Sequence, residues 1–168
     1  MYEDRIQRAV DLFLKGYNCS QSVVGAYADL YGFTPEQALR MSASFGGGIG
    51  RMRQTCGSAC GMFLLAGLET GSVKEGDTAG KSYNYKIVQQ LAEEFKKRNG
   101  ALICSEILGL RKNQVITPEA EERTPSYYKT RPCTRVIENA ARIYAEFLTE
   151  LHKSGNPQAA SSFGSSEI

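Results

Sequence analysis

The chain has 168 residues, enough for one domain that buries a substantial core, and its 42% apolar and 23% charged residues are ordinary for a globular protein. Its 20 basic and 18 acidic residues leave a net charge of only +2, which argues against a nucleic-acid partner. No apolar run approaches the roughly 20 residues of a transmembrane helix, and the polar N-terminus lacks the apolar core of a signal peptide. We therefore expect a cytoplasmic protein without membrane insertion.

Helical signals begin near the N-terminus and continue through the first third of the chain. Residues 3–15 carry apolar side chains at the spacing of an amphipathic helix. Asn18 is a suitable N-cap for a second helix that runs to about Tyr31. Thr34 and Pro35 form a typical helix start, a cap followed by proline at the first helical position, and they predict a third helix.

The rest of the chain shows no convincing strand, hairpin or repeat. Further helices are predicted at about residues 54–69, from residue 77 or 78 to about Arg98, at Cys104, and from Pro132 to about Lys153. The polar loop at 111–131 is expected to contain at most one short helical turn, at Glu119–Arg123. We predict one all-α domain over residues 1–153, a bundle of about seven helices, followed by a flexible tail at 154–168.

The segment at 45–61 reads FGGGIGRMRQTCGSACG and contains six glycines in seventeen residues. Consecutive glycines are unfavourable inside a helix, so a loop is predicted before the fourth helix. In one interpretation, the backbone of Gly47, Gly48 and Gly50 and the side chain of Arg51 bind an anionic cofactor or substrate at a helix N-terminus. The simpler interpretation is a flexible linker, because neither a dinucleotide-binding motif nor a P-loop is matched.

Two further features have structural explanations. Gly57 and Gly61 lie one turn apart on the predicted fourth helix, so a neighbouring helix is expected to approach that face closely. The basic and aromatic run before Cys133, which includes Tyr127 and Arg131, either raises the local positive potential or is a solvated loop.

Five cysteines are the unusual feature of the composition: Cys19, Cys56, Cys60, Cys104 and Cys133. In a reducing compartment static disulfides are rare, so metal binding or redox catalysis gains weight. All but Cys60 are predicted to lie at or near a helix start, where unpaired N–H groups and the helix dipole favour thiolate over thiol. Helix ends gather at one pole of a bundle, so we expect these thiols to converge. The alternative for each cysteine is burial as a small apolar residue.

The motifs GYNCSQS, FGGGIGR and CGSACG resemble the redox-active C_GCAxxG_C_C family, whose members share four cysteines and a CGAxxG segment. The resemblance extends over about residues 5–145. It implies that the family's four cysteines are Cys19, Cys56, Cys104 and Cys133. Gly57 and Gly61 match the glycines of the segment, Ser58 stands where alanine is usual, and Cys60 falls at a variable position.

Three functions remain open at this point. In the first, one thiol attacks and a second resolves in thiol–disulfide or related redox chemistry with an unknown redox partner or small-molecule substrate. Cys56 is the preferred attacking thiol because it follows the glycine loop, Arg51 and Arg53.

In the second, the same four cysteines hold zinc or an iron–sulfur cluster, although their spacings of 37, 48 and 29 residues match no compact metal motif. In the third, the protein is a non-catalytic helical binding module whose thiols only pack.

Overall fold

The computed structural model describes residues 1–155, and within them the chain is all-α, as predicted. The α-helices are α1 (Glu3–Leu14), α2 (Cys19–Tyr27), α3 (Pro35–Ser42), α4 (Gly57–Thr70), α5 (Thr78–Asn99), α6 (Cys104–Ile107), α7 (Pro125–Thr130) and α8 (Cys133–Lys153). Short 3₁₀ turns at Ala28–Tyr31 and Ala43–Phe45 extend α2 and α3. The described residues form no strand, but Thr55 and Ile103 pair in an isolated antiparallel bridge.

Side-chain caps explain where two of the predicted helices begin. Asn18 accepts a hydrogen bond from the N–H of Gln21, and Thr34 accepts one from the N–H of Gln37. In both cases the glutamine side chain accepts a hydrogen bond from the N–H of the cap residue. Each cap thereby satisfies N–H groups that the helix itself leaves unpaired, and the predicted starts of α2 and α3 are confirmed.

The loop between α6 and α8 differs from the prediction. The helical turn predicted at Glu119–Arg123 is wrong, because that stretch is not helical. The helix of this region is α7, which begins at Pro125 after Thr124 accepts a hydrogen bond from the N–H of Tyr127. Threonine followed by proline is the same start signal that correctly predicted α3, so the sequence does contain the signal for α7.

The long helices form a bundle in which α2 and α4 pack against each other. Helix α1 packs on α2, α5 packs on α4, and α8 contacts all four of these helices. The largest fully buried side chains come from five helices and are Tyr27, Tyr144, Phe13, Phe95, Met62 and Leu65. This core supports the helix starts that carry the cysteines.

The close approach predicted at Gly57 and Gly61 is present, and the neighbouring helix is α2. A Cβ on Gly61 would lie 3.0 Å from the carbonyl oxygen of Ser20 and 3.1 Å from the Cβ of Val23. Such contacts are tighter than ordinary packing allows, so glycine lets the backbones of α2 and α4 come together.

In the part of the chain that the structure describes, no helix is both long enough and apolar enough to cross a bilayer. Residues 156–168, which make up most of the predicted flexible tail, lie outside the described residues.

Candidate functional site

Four of the five cysteines meet at one pole of the bundle. Each lies at a helix start: Cys19, Cys104 and Cys133 are the first residues of α2, α6 and α8, and Cys56 immediately precedes α4. All four are free thiols, and together they line a cavity of about 60 Å³, here called the thiol cavity. One water molecule needs about 10–15 Å³ of such a cavity, so the thiol cavity has room for only a few atoms of a substrate.

Cys19 and Cys56 are brought together by the close packing of α2 and α4. A Cβ on Gly57, the residue after Cys56, would overlap the Sγ of Cys19 and lie 2.7 Å from the carbonyl oxygen of Phe45. The Cys19 thiol therefore occupies space that any side chain at position 57 would need.

Cys56 and Cys104 are brought together by a short antiparallel pairing of the segments that precede their helices. The N–H of Cys56 donates to the carbonyl of Leu102 (2.9 Å), and the N–H of Cys104 donates to the carbonyl of Gln54 (2.6 Å). The bridge between Thr55 and Ile103 lies between these hydrogen bonds. This pairing also explains why α4 begins at Gly57, whereas the sequence predicted a helix start at about Gln54.

The glycine loop follows a left-handed path. Positive φ angles occur at Gly47, Gly48, Ile49, Gly50, Arg51 and Arg53. The N–H of Gly50 donates to the carbonyl of Ser44, and the N–H of Arg51 donates to the carbonyl of Gly46. These two N–H groups are used within the loop, so an anion held by them would have to open it; anion binding at Gly47, Gly48, Gly50 and Arg51 stays a prediction.

Burial opposes the thiolate that a helix start was expected to favour at Cys56. Burial raises the pKa of the Cys56 thiol, and a neighbouring negative charge on Cys19 raises it further. The N–H groups of Ser58 and Ala59 at the start of α4 act in the opposite direction without overcoming burial. The expected lowering of this pKa is therefore wrong. Burial destabilises the thiolate by removing its hydration, and this effect is larger than the stabilisation from the N–H groups at the helix start.

The other deep thiols show the same balance. Burial raises the pKa of Cys133 to about 11, against the positive charges of Arg131 and Arg123. Burial also raises the pKa of Cys104, and the guanidinium of Arg53 is the largest opposing influence. The lowered thiol pKa expected at these two helix starts is also wrong.

Cys19 differs from the thiols around it. A negative charge on Cys19 contributes to the raised pKa of every other thiol, namely Cys56, Cys60, Cys104 and Cys133. Cys19 and Cys133 are half-buried, whereas Cys56 and Cys104 are buried. Since neighbouring thiolates repel each other, ionisation of any one thiol in the cluster opposes ionisation of its neighbours.

Cys60 lies apart from the thiol cavity. It is buried on α4, does not line the cavity, and its Sγ donates to the carbonyl of Thr55 at 3.8 Å. Burial raises the pKa of Cys60 to about 11. Its position is that of a packed thiol.

Three arginines, Arg53, Arg123 and Arg131, line the thiol cavity together with the cysteines, and the sequence indicated a role for only some of them. Arg53 donates to the Sγ of Cys104 at 3.8 Å, not to Cys56 as its place in the sequence suggested. Arg51, Arg53 and Arg131 share the carboxylate of Glu121.

Arg123 was not identified from the sequence. Its guanidinium lies 4.5 Å from the ring centroid of Phe13 and 4.7 Å from that of Tyr127, and it also donates to the carbonyl of Tyr17. The sequence feature closest to Arg123 that suggested a functional role was the basic and aromatic run before Cys133. Tyr127 and Tyr128 of that run lie on α7 and pack against Phe13, so this part of the run is not a solvated loop.

The four thiols have the ligand type and number of a zinc or iron–sulfur site. Within residues 1–155, however, no three Cys, His, Asp or Glu side chains are grouped closely enough to hold one metal ion. Metal binding at Cys19, Cys56, Cys104 and Cys133 would therefore require the thiols to move closer together.

Comparison with known proteins gives one result. The model of a protein family described as "Putative redox-active protein (C_GCAxxG_C_C)" matches residues 17–147, which include all four cysteines of the thiol cavity and the glycine loop. Neither the curated proteins nor the solved structures contain a significant match.

Proposed function

The chain belongs to the redox-active C_GCAxxG_C_C family, and on this basis we propose that it is a thiol redox protein in which Cys19 attacks a substrate disulfide and Cys56 resolves the mixed disulfide. The observation that carries the proposal is the convergence of four free thiols from four helix starts on one small cavity, with Cys19 beside Gly57.

The proposed order of attack reverses the preference for Cys56 that the sequence suggested. Cys19 is the more exposed of the two thiols. Cys56 keeps its proton while Cys19 is charged, because burial and the Cys19 charge both raise its pKa. Once Cys19 is bonded to substrate its charge is gone, and the N–H groups of Ser58 and Ala59 then stabilise a Cys56 thiolate against less opposition.

The reaction balances without a further reactant. The Cys19 thiolate attacks one substrate sulfur, the substrate S–S bond breaks, and the departing thiolate takes a proton from solvent. Cys56 then gives its proton to solvent and attacks the Cys19 sulfur, which releases the second substrate thiol. Two protein thiols become one disulfide, and two electrons and two protons pass to the substrate.

Cys104 and Cys133 line the same cavity, and a negative charge on Cys104 contributes to the raised pKa of Cys133. We assign them to a second pair that exchanges with the Cys19–Cys56 disulfide. Arg53, beside Cys104, favours its thiolate and therefore its role as an attacking group in that exchange.

The test is to oxidise the reduced protein with a neutral disulfide and to identify the protein disulfide by peptide mass mapping. Wild type should form a Cys19–Cys56 disulfide with release of two substrate thiols per protein. Cys19→Ser should not react at this site, and Cys56→Ser should stop at the mixed disulfide on Cys19. Cys60→Ser is the control and should react as wild type does; if it is the most damaging change, the proposed pair is wrong.

Metal binding by the same four cysteines is the second candidate, favoured by their shared cavity. Iron, zinc and acid-labile sulfide are measured in protein purified without oxygen. Near-stoichiometric metal that is lost in Cys19→Ser and retained in Cys60→Ser would replace the dithiol proposal with a metal centre.

A further inference from the structure

A second pocket of about 430 Å³ adjoins the thiol cavity. It is lined by four arginines, Arg51, Arg53, Arg123 and Arg131, and we call it the arginine vestibule. It shares six lining residues with the thiol cavity: Asn18, Gly47, Arg53, Arg123, Tyr127 and Arg131. A group bound in the vestibule therefore lies next to the thiols.

The vestibule carries more positive than negative charge. Among the described residues that line it, Glu121 is the single acidic one, and its carboxylate is 43% exposed. The side chains of Arg51, Arg53 and Arg131 are only 14–21% exposed, although all three share that one carboxylate. Partly buried guanidinium groups are favourable mainly when they are paired, so the site is suited to a further anion.

Two buried polar atoms at the same place have no hydrogen-bond partner among the described residues. One is Nη1 of Arg123, which stacks on the aromatic wall of the vestibule. The other is Oγ of Ser58, a residue that is 1% exposed and lines the thiol cavity. Buried polar groups are nearly always hydrogen-bonded, so a donor and a hydroxyl left unpaired beside the thiols indicate a polar ligand.

We propose that the arginine vestibule binds the carboxylate end of a small disulfide substrate and directs its sulfur atoms into the thiol cavity. This inference rests on the proposed function and names its substrate class. The volumes fit such a molecule, because the vestibule is of the size that holds small ligands whereas the thiol cavity admits only the reacting atoms. Arginine is suited to the anionic end, since its planar fork binds a carboxylate through two parallel hydrogen bonds.

The experiment compares three small disulfides that differ mainly in charge: dithiodipropionate, which is dianionic, bis(hydroxyethyl) disulfide, which is neutral, and cystamine, which is dicationic. Each is mixed with reduced protein at low ionic strength, and the rate of thiol release is followed. Dithiodipropionate should react at least about tenfold faster than cystamine, and added salt should reduce the difference, because the attraction is electrostatic.

Arg131→Gln should remove most of this charge preference, and Arg53→Gln should do the same if loss of Arg131 impairs folding. Arg142→Gln is the matched control. Arg142 lies on α8, the same helix that Arg131 precedes, but it pairs with Glu3 and Glu138 rather than with the vestibule. The control should keep the preference of wild type.

The outcomes separate this inference from the proposed function. Equal rates for the three disulfides, or a preference unchanged in Arg131→Gln, would overturn the anionic substrate class and leave the thiol chemistry standing. If no disulfide reacts, the proposed function fails, and calorimetric binding of dithiodipropionate to Cys19→Ser then decides the vestibule. Binding that Arg131→Gln abolishes would support it, and an absence of binding would overturn it.

Discussion

Gly57 shows how one missing side chain arranges two thiols. The residue lies in the first turn of α4, where alanine would be the better helix former by about 1 kcal/mol. A Cβ at this position would overlap the Sγ of Cys19 and crowd the carbonyl of Phe45, which accepts a hydrogen bond from the N–H of Ile49 in the glycine loop. The geometry of the thiol cavity therefore requires glycine where helix propensity alone would favour another residue.

Gly57→Ala should lower stability and slow formation of the Cys19–Cys56 disulfide, because either the Cys19 thiol or the glycine loop must move. Gly67→Ala is the matched control on the same helix. Apart from the helix's own backbone, no atom within residues 1–155 lies within 4 Å of its added Cβ, so it should add up to about 1 kcal/mol and leave the thiols unchanged. Urea unfolding and the rate of disulfide formation measure both effects. A Gly57→Ala protein as stable and reactive as Gly67→Ala would refute this account of the site.

The raised thiol pKa values make stability fall in alkaline solution. Burial raises the pKa of Cys60 from 9.0 to about 11, so between these values the unfolded chain loses this proton while the folded protein keeps it. The folded state then binds more protons, and its stability must fall as pH rises through this window, whereas below pH 9 the contribution is fully present. Cys60→Ser has no thiol to ionise and should lose stability less steeply.

Urea unfolding of reduced wild type and of Cys60→Ser tests this expectation. It is measured at intervals between about pH 8, below the ordinary thiol pKa, and about pH 11, near the raised pKa of Cys60. The difference between the two proteins cancels the titration of tyrosine and lysine side chains that both contain. Parallel stability curves across the alkaline range would mean that the pKa of Cys60 is not raised by burial.

At the scale of structural elements, the glycine loop packs directly against Cys104. The N–H groups of Arg53 and Gln54 donate back to the carbonyls of Gly47 and Gly48, which closes the left-handed loop on itself. A Cβ on Gly48 would lie 2.5 Å from the Cβ of Cys104. The loop is thus a packed wall behind one thiol, rather than the flexible linker that its composition suggests.

Gly48→Ala and Gly50→Ala separate the two reasons for glycine in this loop. Both positions have positive φ, so each alanine should cost about 1–2 kcal/mol of backbone strain. Only the alanine at position 48 meets Cys104, since the nearest atom of the described chain to a Cβ on Gly50 would be the carbonyl oxygen of Ser44 at 3.9 Å. Gly48→Ala should therefore lose more stability and, in alkylation followed by mass spectrometry, should also change the reactivity of Cys104. Identical behaviour of the two variants would show that the loop does not shape that thiol.

At the scale of the whole molecule, the sequence predicted the helical bundle and the four converging cysteines, because caps, amphipathic spacing and helix starts are local signals. It did not predict the ionisation of Cys56, or that Arg123 would join Arg51, Arg53 and Arg131 beside the cavity. Burial depends on how α2, α4 and α8 pack, and the arginines meet only after the glycine loop and the α7 region fold against each other. The raised thiol pKa is therefore a tertiary effect that overrides a local one.

A buried polar network ties the bundle together at the other end of α4 from the thiols. Tyr144 on α8 donates to the carbonyl of Leu65 (3.0 Å), and its hydroxyl lies 2.5 Å from that of Tyr31. Tyr31 in turn donates to the carboxylate of Glu69 at 2.7 Å. Glu69 follows Cys56 by thirteen positions, which corresponds to about 20 Å along a helix. The network therefore joins α4 and α8 far from the thiol cavity.

Tyr144→Phe should separate bundle stability from thiol chemistry. Loss of the buried hydroxyl should cost about 1–2 kcal/mol, because its hydrogen-bond partners stay buried without it. The rate of Cys19–Cys56 disulfide formation should not change, since the substitution lies at the opposite pole. Tyr85→Phe, at a residue on α5 that is 60% exposed, is the control and should alter neither quantity. A different outcome is that Tyr144→Phe slows the thiol reaction while the protein remains fully folded. The packing of α4 against α8 would then transmit changes along the bundle. In that case the geometry of the thiol cavity would depend on the whole bundle and not only on the residues around the cysteines.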